Sequence, residues 1–427
     1  MNRLCKIVLF MLIALTASLC ACGAGADDLI GANFTLKIFG NADMDETIDE
    51  NDVAYVEGVI KGTNTSTNLS DANYDGKIDS KDIDQIEKII SGEDQQLTII
   101  DCHDRIVTIS KPVEHIISET VPIAAILRTL GVKDRVIGVD TTTASYPTFF
   151  PELNKLPCIG NPATPDYEKI IALKPDIVIT GYDWPPKGEI EKKVEPAGIT
   201  VVRMNCAPIP TYIEEVTKMG YIMGKKDRAD EFINWYKSYM NIIANRVEKL
   251  SEEEKPKVFL YYGGELRRGE GPPYGTWGND NYWGNPPVEV AGGTNIAKNL
   301  PGNWITVDAE WVLEQNPSII IRSVFDSKIM SYEVDDPSGA KALRESSLSQ
   351  PVLNLTDAVK NGDVYLLSTS LHFMALFVQI PYLAKWFHPE LFEDLDPQAI
   401  HQEWLTRFQG LDYDLDKHGV FAYPESS

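Results

Sequence analysis

Two fourteen-residue stretches of this chain align without a gap. Asp166-Tyr-Glu168-Lys-Ile-Ile-Ala-Leu-Lys-Pro175-Asp-Ile177-Val-Ile179 matches Asp308-Ala-Glu310-Trp-Val-Leu-Glu-Gln-Asn-Pro317-Ser-Ile319-Ile-Ile321 at an offset of 142, with Asp, Glu, Pro and two Ile identical. Each copy reads as a short helix, a turn marked by Pro, and a β-branched strand. Between the copies lies Lys225–Leu250. Its apolar residues Ala229, Phe232, Ile233, Tyr236, Met240, Ile243, Ala244, Val247 and Leu250 recur at gaps of three and four, a single stripe at helical period. No Gly or Pro interrupts it, and Pro256 follows. The repeat on either side of one long helix predicts an α/β chain of two Rossmann-like lobes, 97–224 and 256–409, joined by a spine at 225–250, with a tail at 410–427.

The first lobe opens on two short alternating runs, Leu97–Ile100 and Arg105–Ile109, a hairpin. Strands at His115–Ser118, Val136–Val139, Ile177–Thr180 and Thr200–Met204 then alternate with helices, which predicts a parallel sheet. Ligands of such sheets sit outside the carboxyl ends of the strands. Tyr146, Phe149, Phe150, Tyr182 and Trp184 gather there. In the second lobe, strand Val258–Tyr262 leads into an irregular segment, Gly263–Asn285, with Gly at seven positions. That segment carries Arg267, Arg268, Tyr274, Trp277, Tyr282 and Trp283 and is expected to be a functional loop. With Tyr262, Arg322 at the end of strand Ile319–Arg322, and His372 opening an apolar helix, these residues form the candidate ligand-binding cleft.

Charge and leader narrow the function. A net charge of −24 leaves no basic stripe for a nucleic-acid backbone. Arg3 and Lys6 precede an apolar run, Ile7–Leu15, too short for a convincing membrane span, so residues 1–22 read as a secretory signal. Leu19-Cys20-Ala21-Cys22 resembles a lipobox with Cys22 as the lipidated residue, Cys20 or simple secretion being the alternatives. Either way the protein is expected outside the cytoplasmic membrane, at the cell surface or in the periplasm, and a lipid anchor on Cys22 is expected to tether it without embedding it. Of six Cys, Cys102, Cys158 and Cys206 lie beyond the leader, and three spaced thiols make neither a zinc pattern nor a disulfide framework.

Residues 33–93 hold a second repeat, at an offset of 30. The first loop places Asn41, Asp43, Asp45, Thr47, Asp49 and Asp52 at positions 1, 3, 5, 7, 9 and 12; the second places Asp71, Asn73, Asp75, Lys77, Asp79 and Asp82 there. Six oxygens at that spacing suit calcium, position 7 acting through its backbone carbonyl. Gly76 permits the sharp turn that Glu46 replaces in the first loop, so the first is expected to bind more weakly. Each loop leads into one short helix, together a small all-α domain. The pair resembles a type I dockerin. That resemblance implies calcium as cofactor and a cohesin-like partner near Glu50, Asn51, Ser80 and Lys81, or docking onto the same chain.

Residues 97–409 resemble the class III periplasmic binding proteins of ABC importers. Leu130-Gly131-Val132 before Val136-Ile137-Gly138-Val139, Leu173–Ile179, Glu289-Val-Ala-Gly-Gly-Thr-Asn295 and the Asn316-Pro317 unit carry the likeness, nearest the ferric-siderophore and cobalamin receptors. It implies two lobes around a cleft and one glutamate per lobe that docks to the permease, with Glu289 in the second lobe and Glu189 or Glu191 in the first as candidates. Six His fall in no ligand spacing, so a bare transition metal is not expected. The aromatic walls and arginines suit a ferric siderophore, haem or cobalamin. The chain contains no Gly-x-Ser-x-Gly, His-Glu-x-x-His or Gly-x-Gly-x-x-Gly, so catalysis is not expected. The alternative reading is a calcium-dependent surface scaffold or adhesion protein that docks through its dockerin-like module.

Overall fold

The computed structural model describes residues 30–262, 271–279 and 283–424. Cys22, Arg267, Arg268 and Tyr282 lie outside them.

The loop repeat folds twice in the same way. Helices α1 (Glu50–Lys61) and α2 (Ser80–Ser91) start on Asp49 and Asp79, whose side chains accept from Asn51 and Lys81 N–H in matching capping boxes with Asp52 and Asp82. Both end on left-handed glycines, Gly62 and Gly92. The loops also share a left-handed residue at position 4, Met44 and Tyr74.

Strands β1 (Gln96–Ile100) and β2 (Ile106–Ser110) form the expected hairpin, with Leu97 opposite Ile109. The first lobe is then built from β3 (Ile116–Ser118), α3 (Val121–Thr129), β4 (Val136–Val139), α4 (Tyr167–Leu173), β5 (Ile177–Thr180), α5 (Glu189–Val194) and β6 (Thr200–Arg203). Its four strands are parallel in the order β4-β3-β5-β6. All four residues of β5 are buried, as a central parallel strand covered by helices on both faces requires.

α6 (Ile209–Met223) leads through Gly224 into α7 (Lys226–Val247), the expected spine. Its stripe packs both ways. Phe232 and Tyr236 meet Tyr212 of α6 at 6.1 and 5.9 Å, and both meet Phe377 of the second lobe at 5.7 and 5.6 Å. Each buried aromatic contributes about 1.5–3 kcal/mol of burial, so the helix is fastened to both lobes along its length.

The second lobe contains β7 (Lys257–Tyr261), β8 (Tyr274–Trp277), α8 (Asn285–Val290), β9 (Thr294–Asn295), β10 (Trp304–Val307), α9 (Ala309–Gln315), β11 (Ile319–Val324), α10 (Ser338–Leu348), β12 (Val364–Ser368), α11 (Thr369–Phe387), α12 (Pro397–Glu403) and β13 (Ala422–Tyr423). The sheet runs β10-β8-β7-β11-β12-β13, with β9 on β7. The repeat at offset 142 is α4-β5 and α9-β11. Asp166 and Asp308 cap the two helices on Lys169 and Trp311 N–H at 3.0 and 2.8 Å, and left-handed Lys174 and Asn316 end them.

Two expectations are corrected. The segment read as one functional loop contains β8, whose four residues are buried in the sheet, because its aromatic side chains have a core to enter. The tail beyond Gln409 supplies edge strand β13, antiparallel to β12 with Leu366 opposite Tyr423.

The loop–helix module is fastened to the first lobe. Lys37–Phe39 lie along β1, with Phe39 N–H on Thr98 O and Ile100 N–H on Lys37 O, both at 2.9 Å. Tyr221 Oη of α6 accepts Ile48 N–H at 2.9 Å, and Lys111 Nζ pairs with buried Asp94 at 2.8 Å. Among the described residues no helix is long and apolar enough to cross a membrane.

Candidate ligand cleft

The carboxyl ends of β3, β5 and β6 carry Glu119, the Gly181–Pro186 turn and Arg203. Arg203 is fully buried. Its Nε donates to Glu191 Oε1 at 2.6 Å, and its other nitrogens reach the carbonyls of Pro185 at 2.7 Å, Pro186 at 3.0 Å and Gly181 at 3.3 Å. Thr180 Oγ1 donates to Trp184 O at 3.0 Å. These bonds pin the turn while its aromatic rings face solvent: Tyr182 is 46% exposed and Trp184 53%. Tyr182 stacks edge-on against His103 of the opening hairpin at 4.7 Å. Sequence reasoning missed Arg203, since an arginine closing a strand carries no pattern that separates it from a surface cation.

Glu119 follows β3 with its backbone on Ile179 O at 3.1 Å. It is fully buried, and neither carboxyl oxygen has a hydrogen-bond partner in bonding geometry among the described residues. Burial pushes its pKa up to about 8, against the opposing pull of Thr180 and Arg203. Asp140, after β4, is also buried and raised, but it caps the next turn on Thr142 and Thr143 N–H at 2.6 and 3.1 Å. Tyr146 is half-buried beside it, and Phe149 and Phe150 are core residues.

In the second lobe Trp277 lies opposite Trp304 and Thr276 opposite Tyr261, so the start of β10 stands at the carboxyl end of β7. Trp304, which the sequence reading did not select, is 42% exposed and covers buried Tyr262 at 5.1 Å. Trp283 is half-buried beside Phe373 at 5.9 Å. His372 is buried against Trp277 and Trp283.

Four candidate residues are committed elsewhere. Tyr274 is fully buried and donates to Gln350 Oε1 at 2.6 Å. Trp277 is fully buried in the same sheet, inside the lobe rather than on its wall. Arg322 is buried, donates to Ser347 Oγ at 3.0 Å and lies over the Tyr261 ring, so it is not presented to an anionic ligand. Glu191 is buried between Arg203 and Arg105, at 2.6 and 2.8 Å, and is unsuited to a docking surface. Glu189 is exposed and accepts from Tyr167 Oη at 3.0 Å; Glu289 is exposed on α8. The repeat offers a further matched pair: Glu168 and Glu310 occupy equivalent first turns, both exposed and without an ion-pair partner among the described residues.

The acidic loops direct their oxygens onto their own backbone. Asp71 accepts from Asp75 and Gly76 N–H at 3.1 and 2.8 Å, and Asp82 from Asn73 and Asp79 N–H at 3.2 and 2.8 Å. Gly76 sits at φ +87° with open space around it. In the first loop Asn41 is fully buried and its Nδ2 donates to Leu36 and Asp45 carbonyls at 2.9 and 2.7 Å. Burial pushes Asp52 up to about 7. Among the described residues no three His, Cys, Asp or Glu side chains form a metal-holding group.

A parallel sheet in the first lobe, a mixed sheet in the second, a spine packed on both, and exposed aromatics at carboxyl ends of strands in each define the architecture. Residues 116–371 match the periplasmic binding protein family model, and the chain belongs to that family. It is 28% identical over 227 residues to an uncharacterized ABC transporter substrate-binding lipoprotein, YvrC, of Bacillus subtilis, covering 53% of this chain and 68% of that protein. It is 22% identical to a cobalamin-binding protein of Halobacterium salinarum, over 63% of this chain and 67% of that one. The molybdate-binding protein MolA of Haemophilus influenzae is also 22% identical, covering 64% and 78%. The solved structure of MolA superposes with a TM-score of 0.58 at 21% identity, over 74% of this chain and 99% of that one.

Proposed function

We propose that this chain is the extracytoplasmic solute-binding subunit of an ABC importer for a metal chelate: a ferric siderophore, haem or a corrinoid. The observation that carries the reading is the placement of exposed Tyr182 and Trp184 on the first lobe and Trp304 on the second, at the carboxyl ends of the two sheets. Large apolar rings held in water by a buried arginine scaffold are costly unless a ligand covers them. A small oxyanion needs convergent hydrogen-bond donors instead of apolar faces. Titrating the full chain with ferric haem, aquocobalamin, a ferric tris-catecholate and molybdate, followed by calorimetry and Trp fluorescence, tests this. Quenching with binding of one of the first three is expected; binding of molybdate alone overturns the chelate reading.

Delivery requires docking to the permease, one glutamate from each lobe. Glu168 and Glu310 meet that requirement best, since the repeat gives them the same place on each lobe; Glu189 and Glu289 are the other exposed candidates. Lipidation at Cys22 would hold the receptor at the membrane.

We also propose that the dockerin-like module binds calcium, the second loop more tightly. Asp71, Asn73, Asp75, Asp79 and Asp82 provide side-chain oxygens and Lys77 its carbonyl, and left-handed Gly76 allows the turn. Asn41 of the first loop directs its amide donors into the backbone, which supports weaker binding there. Contact of the module with Tyr221 favours docking onto its own lobe over a cohesin-like partner. Calcium should raise the melting temperature of the full chain, and Asp71→Ala should abolish that shift; no shift in the parent chain ends the metal reading.

A further inference from the structure

His372 stands in the first turn of α11 with 4% of its surface exposed, and neither ring nitrogen has a hydrogen-bond partner among the described residues. Two of its neighbours present ring faces to it. Trp277 lies nearly parallel at 5.8 Å and 18°, and Trp283 at 5.6 Å and 31°. Leaving a buried donor and acceptor unmet costs about 1–3 kcal/mol for each. The other buried histidine with a lowered pKa, His401, does have a partner, Tyr332 Oη at 2.8 Å. An unmet imidazole at the carboxyl end of β12 calls for a partner that arrives from outside the chain.

We propose that His372 coordinates the metal of the cargo, and that the cargo is therefore a planar macrocyclic complex with an exchangeable axial position. This rests on the chelate reading above and narrows it. A chelator that fills all six positions of its iron leaves nothing for an imidazole to bind, whereas four in-plane donors leave an axial position open. A neutral imidazole is the required form, and burial alone pushes the His372 pKa down to about 3, so protons do not compete at physiological pH. Of the two flanking indoles, half-buried Trp283 offers an edge against which a flat macrocycle packs, while Trp277 stays in the core behind the imidazole. The helix is also divided just beyond: Ala375 is non-helical, at φ −162° and ψ 82°. The turn that bears His372 is thus set off by a kink from the Leu376–Phe387 segment.

The test uses the full chain with ferric haem and aquocobalamin as probes, read by absorption and magnetic circular dichroism. A nitrogen-ligated spectrum is expected with one of them. His372→Phe and His372→Ala should both lose it, with affinity lower by about tenfold or more. Added imidazole should restore the spectrum in His372→Ala, where the ring's space is open, and not in His372→Phe. His372→Phe should melt no lower than the parent, which separates loss of a ligand from loss of the fold. Equal affinity and identical spectra in parent and variants overturn the coordination while the chelate reading stands. The same holds if the parent binds neither probe but binds a ferric tris-catecholate. Failure to bind any of the three overturns both.

Discussion

Arg203 and Glu191 meet at 2.6 Å inside the first lobe, and the turn that carries Tyr182 and Trp184 hangs from the same guanidinium. Glu191 is lowered by Arg203 despite its burial. Removing one partner leaves an uncompensated buried charge, so Glu191→Ala should destabilise the chain by about 3–5 kcal/mol in urea unfolding. Arg203→Lys, which cannot reach several acceptors at once, should weaken ligand binding with a smaller loss of stability.

The exposed rings should carry affinity without carrying the fold. Trp184→Ala and Trp304→Ala are expected to change stability by less than about 1 kcal/mol each. Each should reduce cargo affinity by about tenfold or more and remove part of the fluorescence quenching. Equal affinity in both variants would place the ligand elsewhere.

Glu119 predicts a pH dependence. Its folded pKa, about 8, lies above the ordinary value of 4.5, so the folded state holds a proton that the unfolded chain releases. Its contribution to stability is intact below pH 4.5 and is lost as pH rises through about 8. Glu119→Gln should match the parent near pH 4 and exceed it at pH 9 by on the order of 2–4 kcal/mol, measured by chemical denaturation at both values.

Tyr221→Phe should loosen the module. Ile48 N–H loses its acceptor, at a cost of about 1–3 kcal/mol. The Ile48 amide should exchange faster with solvent while amides in β5 keep their protection.

Charge reversal at Glu168 and Glu310 should leave ligand binding unchanged and reduce import in reconstituted vesicles by about tenfold or more. If reversal at Glu189 and Glu289 has that effect instead, the docking pair is not the one related by the repeat.

The sequence by itself determined the architecture. Asp166 and Asp308 cap, Pro175 and Pro317 follow the helix ends, and Ile177 and Ile319 begin buried strands, because capping and strand burial are local properties that a fourteen-residue repeat already contains. The stripe of α7 likewise fixed a helix with an apolar face. Tertiary structure decided which aromatic and charged residues are available. Tyr274 and Trp277 belong to a core strand and Trp304 to the surface, although all three are aromatic residues in short extended segments. Arg203, Arg322 and Glu191 are buried ionic groups whose side-chain partners lie 12 to 86 residues away. Exposure and pairing are properties of packing between distant segments, and no local spacing encodes them.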